Sequence, residues 1–245
     1  MKTVRYSFNR ELSPTTPDTA DVQYGDLNNV DLSFARLLPP CAPTKIVCVG
    51  RNYPEHAREL GNDVPAEPLI FLKPPSSLIA HGDHIVYPAI SQRVDYEGEL
   101  GVIIGRHARN VKPENAMDYV LGYTIVNDIT ARDLQKKDGQ WTRGKGFDTF
   151  CSVGPCYVPK DEIDPATLRV VTRLDGVVKQ DGEVSGMMFP VDAIISYVTR
   201  FMTLEPGDLI ATGTPPGVGP MLPGSVVEIE IEGIGVLRNS VVSEA

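Results

Sequence analysis

The residues able to do chemistry gather around one short stretch, Asp95 to Gly105 (DYEGELGVIIG), where Glu97 and Glu99 stand two residues apart. Successive side chains of an extended strand point to opposite faces, so residues two apart share one face. The apolar residues that follow, Leu100, Val102, Ile103 and Ile104, predict a buried strand, with the acids where it leaves the core and opens into a cleft. Two carboxylates on one face repel each other unless positive charge lies between them. A hard divalent cation such as Mg²⁺ meets that need, because it accepts a few carboxylate oxygens, keeps waters and leaves positions open for a substrate. Spacing alone is not diagnostic: Glu228, Glu230 and Glu232 repeat it and read as a solvated strand face.

Further candidate residues fall at two strand ends, on the helices after them and in one polar segment. The run Thr44–Gly50 (TKIVCVG) reads as a buried strand, with Arg51, Asn52 and Tyr53 at its mouth. A compact helix is predicted next, started by Pro54 and stopped by Gly61, and it places His56 and Glu59 on one face at i and i+3. A histidine oriented by a carboxylate is how a general base is built, and a solvated surface pair is the alternative. The run Val120–Asn127 (VLGYTIVN) is a second buried strand that delivers Asp128. Thr130 to Asp133 then has the form of a helix N-cap with an acid three residues on, so Arg132 and Gln135 share a helical face. Lys145 sits between Gly144 and Gly146 in a polar, aromatic segment that reads as a loop. Backbone there can approach a ligand closely, and a solvated lysine is the alternative.

The elements around these residues read as mainly β with a few helices. The chain has 245 residues, 22 of them Gly and 21 Pro, which suits a turn-rich globular domain with a sizeable core. Residues 1–43, punctuated by Pro14, Pro17, Pro39 and Pro40, read as a small N-terminal lobe of weak strands ahead of a main domain over 44–245. Further strands are expected at Pro68–Pro75, which carries Lys73, at His84–Pro88 and at Leu168–Leu174, the last turning at Asp175-Gly176. One amphipathic helix follows Pro190, with Val191, Ile194, Ile195, Val198 and Met202 as its core face. Leu209–Pro215 (LIATGTP) brings Thr212, Gly213 and Thr214 to another strand mouth, and Val227–Ile231 begins a closing hairpin.

Charge and composition exclude several classes. With 23 basic against 32 acidic residues and a net charge of −9, and with the basic residues scattered, no nucleic-acid footprint is present. A small anion remains a suitable ligand if a few cations converge locally with a metal. The cysteines at 41, 48, 151 and 156 lack zinc-site spacing, and no secretory leader is evident at Met1, so free thiols and a cytoplasmic location are expected. No apolar run approaches the length of a membrane span, so no membrane partner is expected.

Glu97-x-Glu99, Asp128-Ile-Thr-Ala-Arg132 with Gln135, Lys145 and the segment Gly207–Gly219 (GDLIATGTPPGVG), in this order, together resemble the fumarylacetoacetate hydrolase family over roughly residues 44–242. The resemblance implies a mixed β-roll of wrapped sheets. It also implies that Glu97, Glu99 and Asp128 bind Mg²⁺ or Mn²⁺, with Ca²⁺ possible, and that Arg132, Gln135, Thr214 and Lys145 face the ligand. The segment Val49–Glu59 is similar to the lid helix of the acylpyruvase and oxaloacetate decarboxylase branch, which makes His56 and Glu59 a catalytic dyad. Many relatives read Gly-Leu-Asn-Tyr where this chain has Gly50-Arg51-Asn52-Tyr53. The extra charge of Arg51 either favours a dicarboxylate or pairs with a surface acid. A homodimer is the family expectation.

The activity so implied is divalent-metal-dependent cleavage of a C–C bond in a small 2-oxo acid, by hydrolysis of an acylpyruvate or decarboxylation of oxaloacetate. Both pass through an enolate whose negative charge falls near the metal and Lys145. Hydrolysis needs His56 to activate water, whereas decarboxylation needs only the electron sink. Isomerisation of 2-hydroxyhepta-2,4-diene-1,7-dioate is a third outcome of such a site. A non-catalytic β-rich binding protein is the alternative of another class, and the intact acids and Lys145 argue against it.

Overall fold

The computed structural model describes residues 1–9, 11 and 21–245, so Pro14 and Pro17 lie outside the described residues. The two apolar runs become the central antiparallel pair of a ten-stranded sheet, Gly98–Ile104 beside Val120–Asp128. Every residue of Gly98–Ile104 is buried, as a strand covered on both faces requires. From one edge the sheet runs Val22–Asp26, Thr3–Ser7, Cys151–Pro159, Val120–Asp128, Gly98–Ile104, Leu209–Ala211, Ile46–Gly50 and Leu69–Lys73. Two short strands pair off this path, Arg36–Leu38 on Thr3–Ser7 and Leu78–Ala80 on Cys151–Pro159.

A five-stranded sheet supplies the second layer, in the order Val177–Glu183, Arg169–Leu174, Val226–Ile231, Gly235–Ser243 and His84–Tyr87. One apolar cluster joins the layers and includes Leu100, Val102, Ile125, Ile129, Val170, Val227 and Ile229. The packing explains the glycine between the two glutamates. A Cβ at position 98 would come within 2.3 Å of Thr172 Oγ1 and 3.1 Å of the Ile229 side chain, so any larger residue would push the sheets apart. The outward acids of the closing hairpin behave as a solvated face: Glu228 pairs with Arg238 and Glu230 with Arg173.

A three-stranded ribbon, Thr130–Ala131, Val94–Tyr96 and Gly219–Met221, crosses the site end of the large sheet. Three sequence expectations change, the first two because of this ribbon. Glu97 lies in a one-residue break between Val94–Tyr96 and Gly98–Ile104, not within one continuous strand. Thr130 is a ribbon residue paired with Asp95, so the helix Arg132–Asp138 starts after Ala131 without a side-chain cap, and Asp133 instead accepts from Ser91 Oγ and the Gln92 amide. The segment around Lys145 is a single helical turn, Thr142–Lys145, not an open loop.

The expected dyad helix forms over Pro54–Glu59 and is followed by Gly61 at φ 68°, the left-handed conformation that ends helices. The helix after Pro190 spans Val191–Thr199, and Val191, Ile194, Ile195 and Val198 are buried as expected, with Met202 just beyond its end. No helix of the described residues is long and apolar enough to cross a membrane.

Candidate metal centre and active site

The strand pairing brings the acids together. Val126 lies opposite Glu99 and Asn127 opposite Gly98, and the Asp128 amide donates to the Glu97 carbonyl at 2.9 Å. Asn127 Oδ1 accepts from the Glu97 amide at 2.9 Å, which fixes the break from the other side. Glu97, Glu99 and Asp128 are all buried, and one oxygen from each lies within 4.8 Å of the others. Among the described residues no other group of this kind occurs.

Cations surround two of the three carboxylates. Lys145 Nζ donates to Glu97 Oε2 at 2.8 Å and to Asp128 Oδ2 at 2.6 Å. Arg132 donates to the other oxygen of Glu97 through Nη2, to Asp95 Oδ2 through Nε at 2.9 Å and to Gln135 Oε1 through Nη1 at 2.8 Å. Burial works against the Lys145 ammonium, but Asp128 and Glu97 outweigh it and its pKa is raised. Burial likewise opposes the Glu97 carboxylate, yet Lys145 and Arg132 hold it ionised.

Glu99 differs. It accepts the Gly213 amide at 2.8 Å and, among the described residues, has no side-chain cation within ion-pair distance, so burial, then Asp128 and Glu97, push its pKa well above the carboxylate range. A buried acid repelled by two others is where an added positive charge is most stabilising. Together with an all-oxygen donor set, this fits a hard divalent cation.

Two residues of the site escaped the sequence reading. Lys73, at the end of Leu69–Lys73, is fully buried; its Nζ donates to Asp128 Oδ1 at 2.6 Å and to the Ile129 carbonyl at 3.0 Å. Its signal was a lone lysine closing an apolar strand. Asp95 is equally buried and ties Arg93 and Arg132 together. It continues the alternation of Glu97 and Glu99 one step back. Lys73→Met is expected to destabilise the protein, at the lower end of roughly 3–5 kcal/mol because Lys145 still faces Asp128. Mg²⁺ should then raise the melting temperature of the variant more than that of the wild type, and thermal unfolding with and without the ion checks both effects.

A cavity of about 540 Å³ opens above the acids, lined by Arg51, His56, Glu97, Glu99, Asp128, Arg132, Gln135, Lys145 and Thr214 among others. His56 is buried, its Nδ1 3.3 Å from Glu59 Oε2. Glu59 is exposed, and it also accepts the Gly217 amide at 3.0 Å. That contact fastens the Pro54–Glu59 helix to the Gly217 turn. Burial lowers the imidazole pKa, outweighing the opposite pull of Glu97 and Glu59. With Nδ1 turned to Glu59, Nε2 is the nitrogen left for a ligand.

Thr214 lines the cavity, but its hydroxyl donates to the Gly98 carbonyl at 2.8 Å and accepts from Gln180 Nε2 at 2.7 Å, so it braces the strand beside Glu99. Arg132, read from the sequence as facing the ligand, is also a brace between Asp95 and Glu97. Gln135 gives its oxygen to Arg132 and keeps its amide N–H groups for a ligand. The cysteines are free and buried, and burial raises their thiol pKa values, Cys41 to about 12.

Comparisons with known proteins find relatives of this chain in sequence and in fold. The sequence model of the fumarylacetoacetate (FAA) hydrolase C-terminal family matches residues 45–242. Human mitochondrial oxaloacetate tautomerase FAHD2A is 44% identical over 256 aligned residues, covering 94% of this chain and 81% of that protein. The crystal structure of 2-hydroxyhepta-2,4-diene-1,7-dioate isomerase from Mycobacterium marinum superposes with a TM-score of 0.85 at 40% identity, covering 100% of this chain and 99% of that one. Fumarylpyruvate hydrolase from Pseudomonas aeruginosa, solved with Mn²⁺ and pyruvate, gives a TM-score of 0.79 at 34% identity over 83% of this chain and 92% of that one.

Proposed function

Because the chain belongs to the fumarylacetoacetate hydrolase family, we propose that it is a divalent-metal-dependent enzyme of small 2-oxo acids that moves a proton at C3, interconverting keto and enol forms. The observation that carries this reading is a buried, carboxylate-paired histidine and a buried lysine lining one cavity with a buried acidic triad. Similarity to an oxaloacetate tautomerase and to a dienedioate isomerase supports it, since both names describe movement of a proton and a double bond without cleavage.

Glu97, Glu99 and Asp128 would hold Mg²⁺ or Mn²⁺, which when bound supplies a Lewis acid for the substrate's C1 carboxylate and C2 oxygen. In the forward direction His56 Nε2 takes a proton from C3. The C–H electrons form the C2=C3 double bond, and the carbonyl pair moves onto the C2 oxygen, where Lys145 offers a fixed positive charge. The imidazolium, held by Glu59, returns the proton to that oxygen. Burial of the site keeps these charges from being screened by water.

Hydrolysis of an acylpyruvate is the second reading, favoured by a cavity of about 540 Å³, larger than a four-carbon acid requires. There His56 takes a proton from water as it attacks the acyl carbonyl. The C–C bond breaks, its electrons become the pyruvate enolate, and protonation at C3 completes pyruvate. Oxaloacetate decarboxylation uses the same enolate without the water.

His56→Ala is expected to lower tautomerisation and acylpyruvate hydrolysis by roughly 10²–10⁴-fold, with metal affinity retained and decarboxylation less affected. Oxaloacetate and acetylpyruvate assayed with Mg²⁺ and Mn²⁺, following enol absorbance and CO₂ separately, test this. Wild-type rates in the variant would remove the dyad from the mechanism. Because the base must be unprotonated and its pKa is lowered from 6.5, the acid limb of kcat/KM should fall below pH 6.5 and disappear in the variant.

A further inference from the structure

Arg51 occupies an unusual position. It ends the buried strand Ile46–Gly50 with φ 56°, a left-handed conformation that a long side chain adopts only when its surroundings hold it there. The surroundings are an aromatic platform. Trp141 packs against Gly50 so closely that a Cβ at position 50 would come within 2.7 Å of its ring, and Phe71 meets the Trp141 ring edge-on at 5.1 Å. The Arg51 guanidinium lies 5.8 Å from the Trp141 ring centroid, within cation–π range.

Among the described residues its charge has no acid to answer it. The cations beside the acids each have a carboxylate: Lys73 and Lys145 hold Asp128, and Arg132 holds Asp95 and Glu97. Arg93, at the cavity wall, pairs with Asp95. Among the described residues neither Arg51 nor Lys136 makes an ion pair, although the chain carries 32 acidic residues against 23 basic ones and both line the same cavity as the acidic triad. The reading of Arg51 as the partner of a surface acid therefore falls away, and its role in recognising an anion remains. A guanidinium held near an indole by cation–π attraction rather than by a carboxylate keeps its N–H groups for a planar oxyanion.

We propose that Arg51 on its Trp141 platform, with Lys136, forms a subsite for a second carboxylate, so that the enzyme selects dianionic 2-oxo acids over monoanionic ones. The inference rests on the 2-oxo acid reading and deepens it by naming the substrate class. Lys145, the acidic triad and Gln135 serve the 2-oxo acid end that all such substrates share. Arg51 and Lys136 serve the end that distinguishes a dicarboxylate. Lys136 lies one residue beyond Gln135 on the helix Arg132–Asp138, which links the two subsites through one element.

The test compares oxaloacetate with its 4-methyl ester, which keeps the skeleton and loses the distal charge. Arg51→Leu should lower kcat/KM for oxaloacetate about 10–100-fold, carried by KM, and narrow the oxaloacetate-to-ester ratio by the same factor. Arg51→Lys should restore part of the ratio, and Lys136→Met should lower it in the same direction. Equal losses on both compounds in Arg51→Leu, or no loss on either, would overturn the subsite.

Calorimetric binding to the Mg²⁺-loaded protein separates this outcome from failure of the proposed function. Oxalate has no distal group, so Arg51→Leu should weaken oxaloacetate more than oxalate even if no turnover of any 2-oxo acid is found. A wild type that binds oxaloacetate no better than the ester overturns the proposal by itself.

Discussion

Glu99→Gln is expected to weaken Mg²⁺ or Mn²⁺ binding by about 100-fold or more, since loss of a group that merely orients a ligand already costs 10–100-fold. The same variant should be at least as stable as the wild type in chelator. Glu99 is buried against Asp128 and Glu97 with one backbone N–H as its hydrogen-bond partner, and removing its charge removes repulsion. The two effects have opposite signs, which distinguishes a metal ligand from a structural acid. Titration calorimetry gives the first, and melting curves in chelator and in Mg²⁺ give the second. Glu230→Gln, on a solvated strand face beside Arg173, should leave metal affinity as it was. Unchanged affinity in Glu99→Gln would show the site to be misassigned.

Lys145→Met is expected to lower kcat about 10²–10³-fold for every 2-oxo acid the enzyme accepts, because the ammonium faces charge that develops in the common enolate. The loss should appear in tautomerisation, hydrolysis and decarboxylation alike. His56→Ala should instead spare decarboxylation in part, so the pair of variants separates stabilisation of charge from transfer of the proton. Steady-state kinetics on oxaloacetate and acetylpyruvate decides it. Wild-type kcat in Lys145→Met would make the lysine only a counter-ion of Glu97 and Asp128.

The acids of the site were legible because period-two spacing and an apolar run are local signals, and the strands Gly98–Ile104 and Val120–Asp128 formed where those signals fell. The helix carrying His56 and Glu59 was legible from Pro54 and Gly61 for the same reason. What could not be read was pairing across long sequence separations. Lys73 reaches Asp128 only because separate strands of one sheet bring them together, and a lysine at a strand end is ordinarily solvated. Thr130 carried a capping pattern, but pairing with Asp95 drew it into a ribbon and left the helix uncapped. Thr214 and Arg132 were read as facing the ligand. Both line the cavity, and their hydrogen bonds to Gly98, Gln180, Asp95 and Glu97, which no local signal announces, also make them braces of the acidic strand.

Proton exchange at C3 of pyruvate in D₂O, followed by ¹H NMR with Mg²⁺, tests the central claim most directly, because every reaction considered passes through the C3 enolate. Exchange should exceed the uncatalysed rate, stop in chelator and return when Mg²⁺ is restored. It should fall in His56→Ala, Lys145→Met and Glu99→Gln. Exchange at the uncatalysed rate in the Mg²⁺-loaded wild type, with pyruvate bound, would contradict the account.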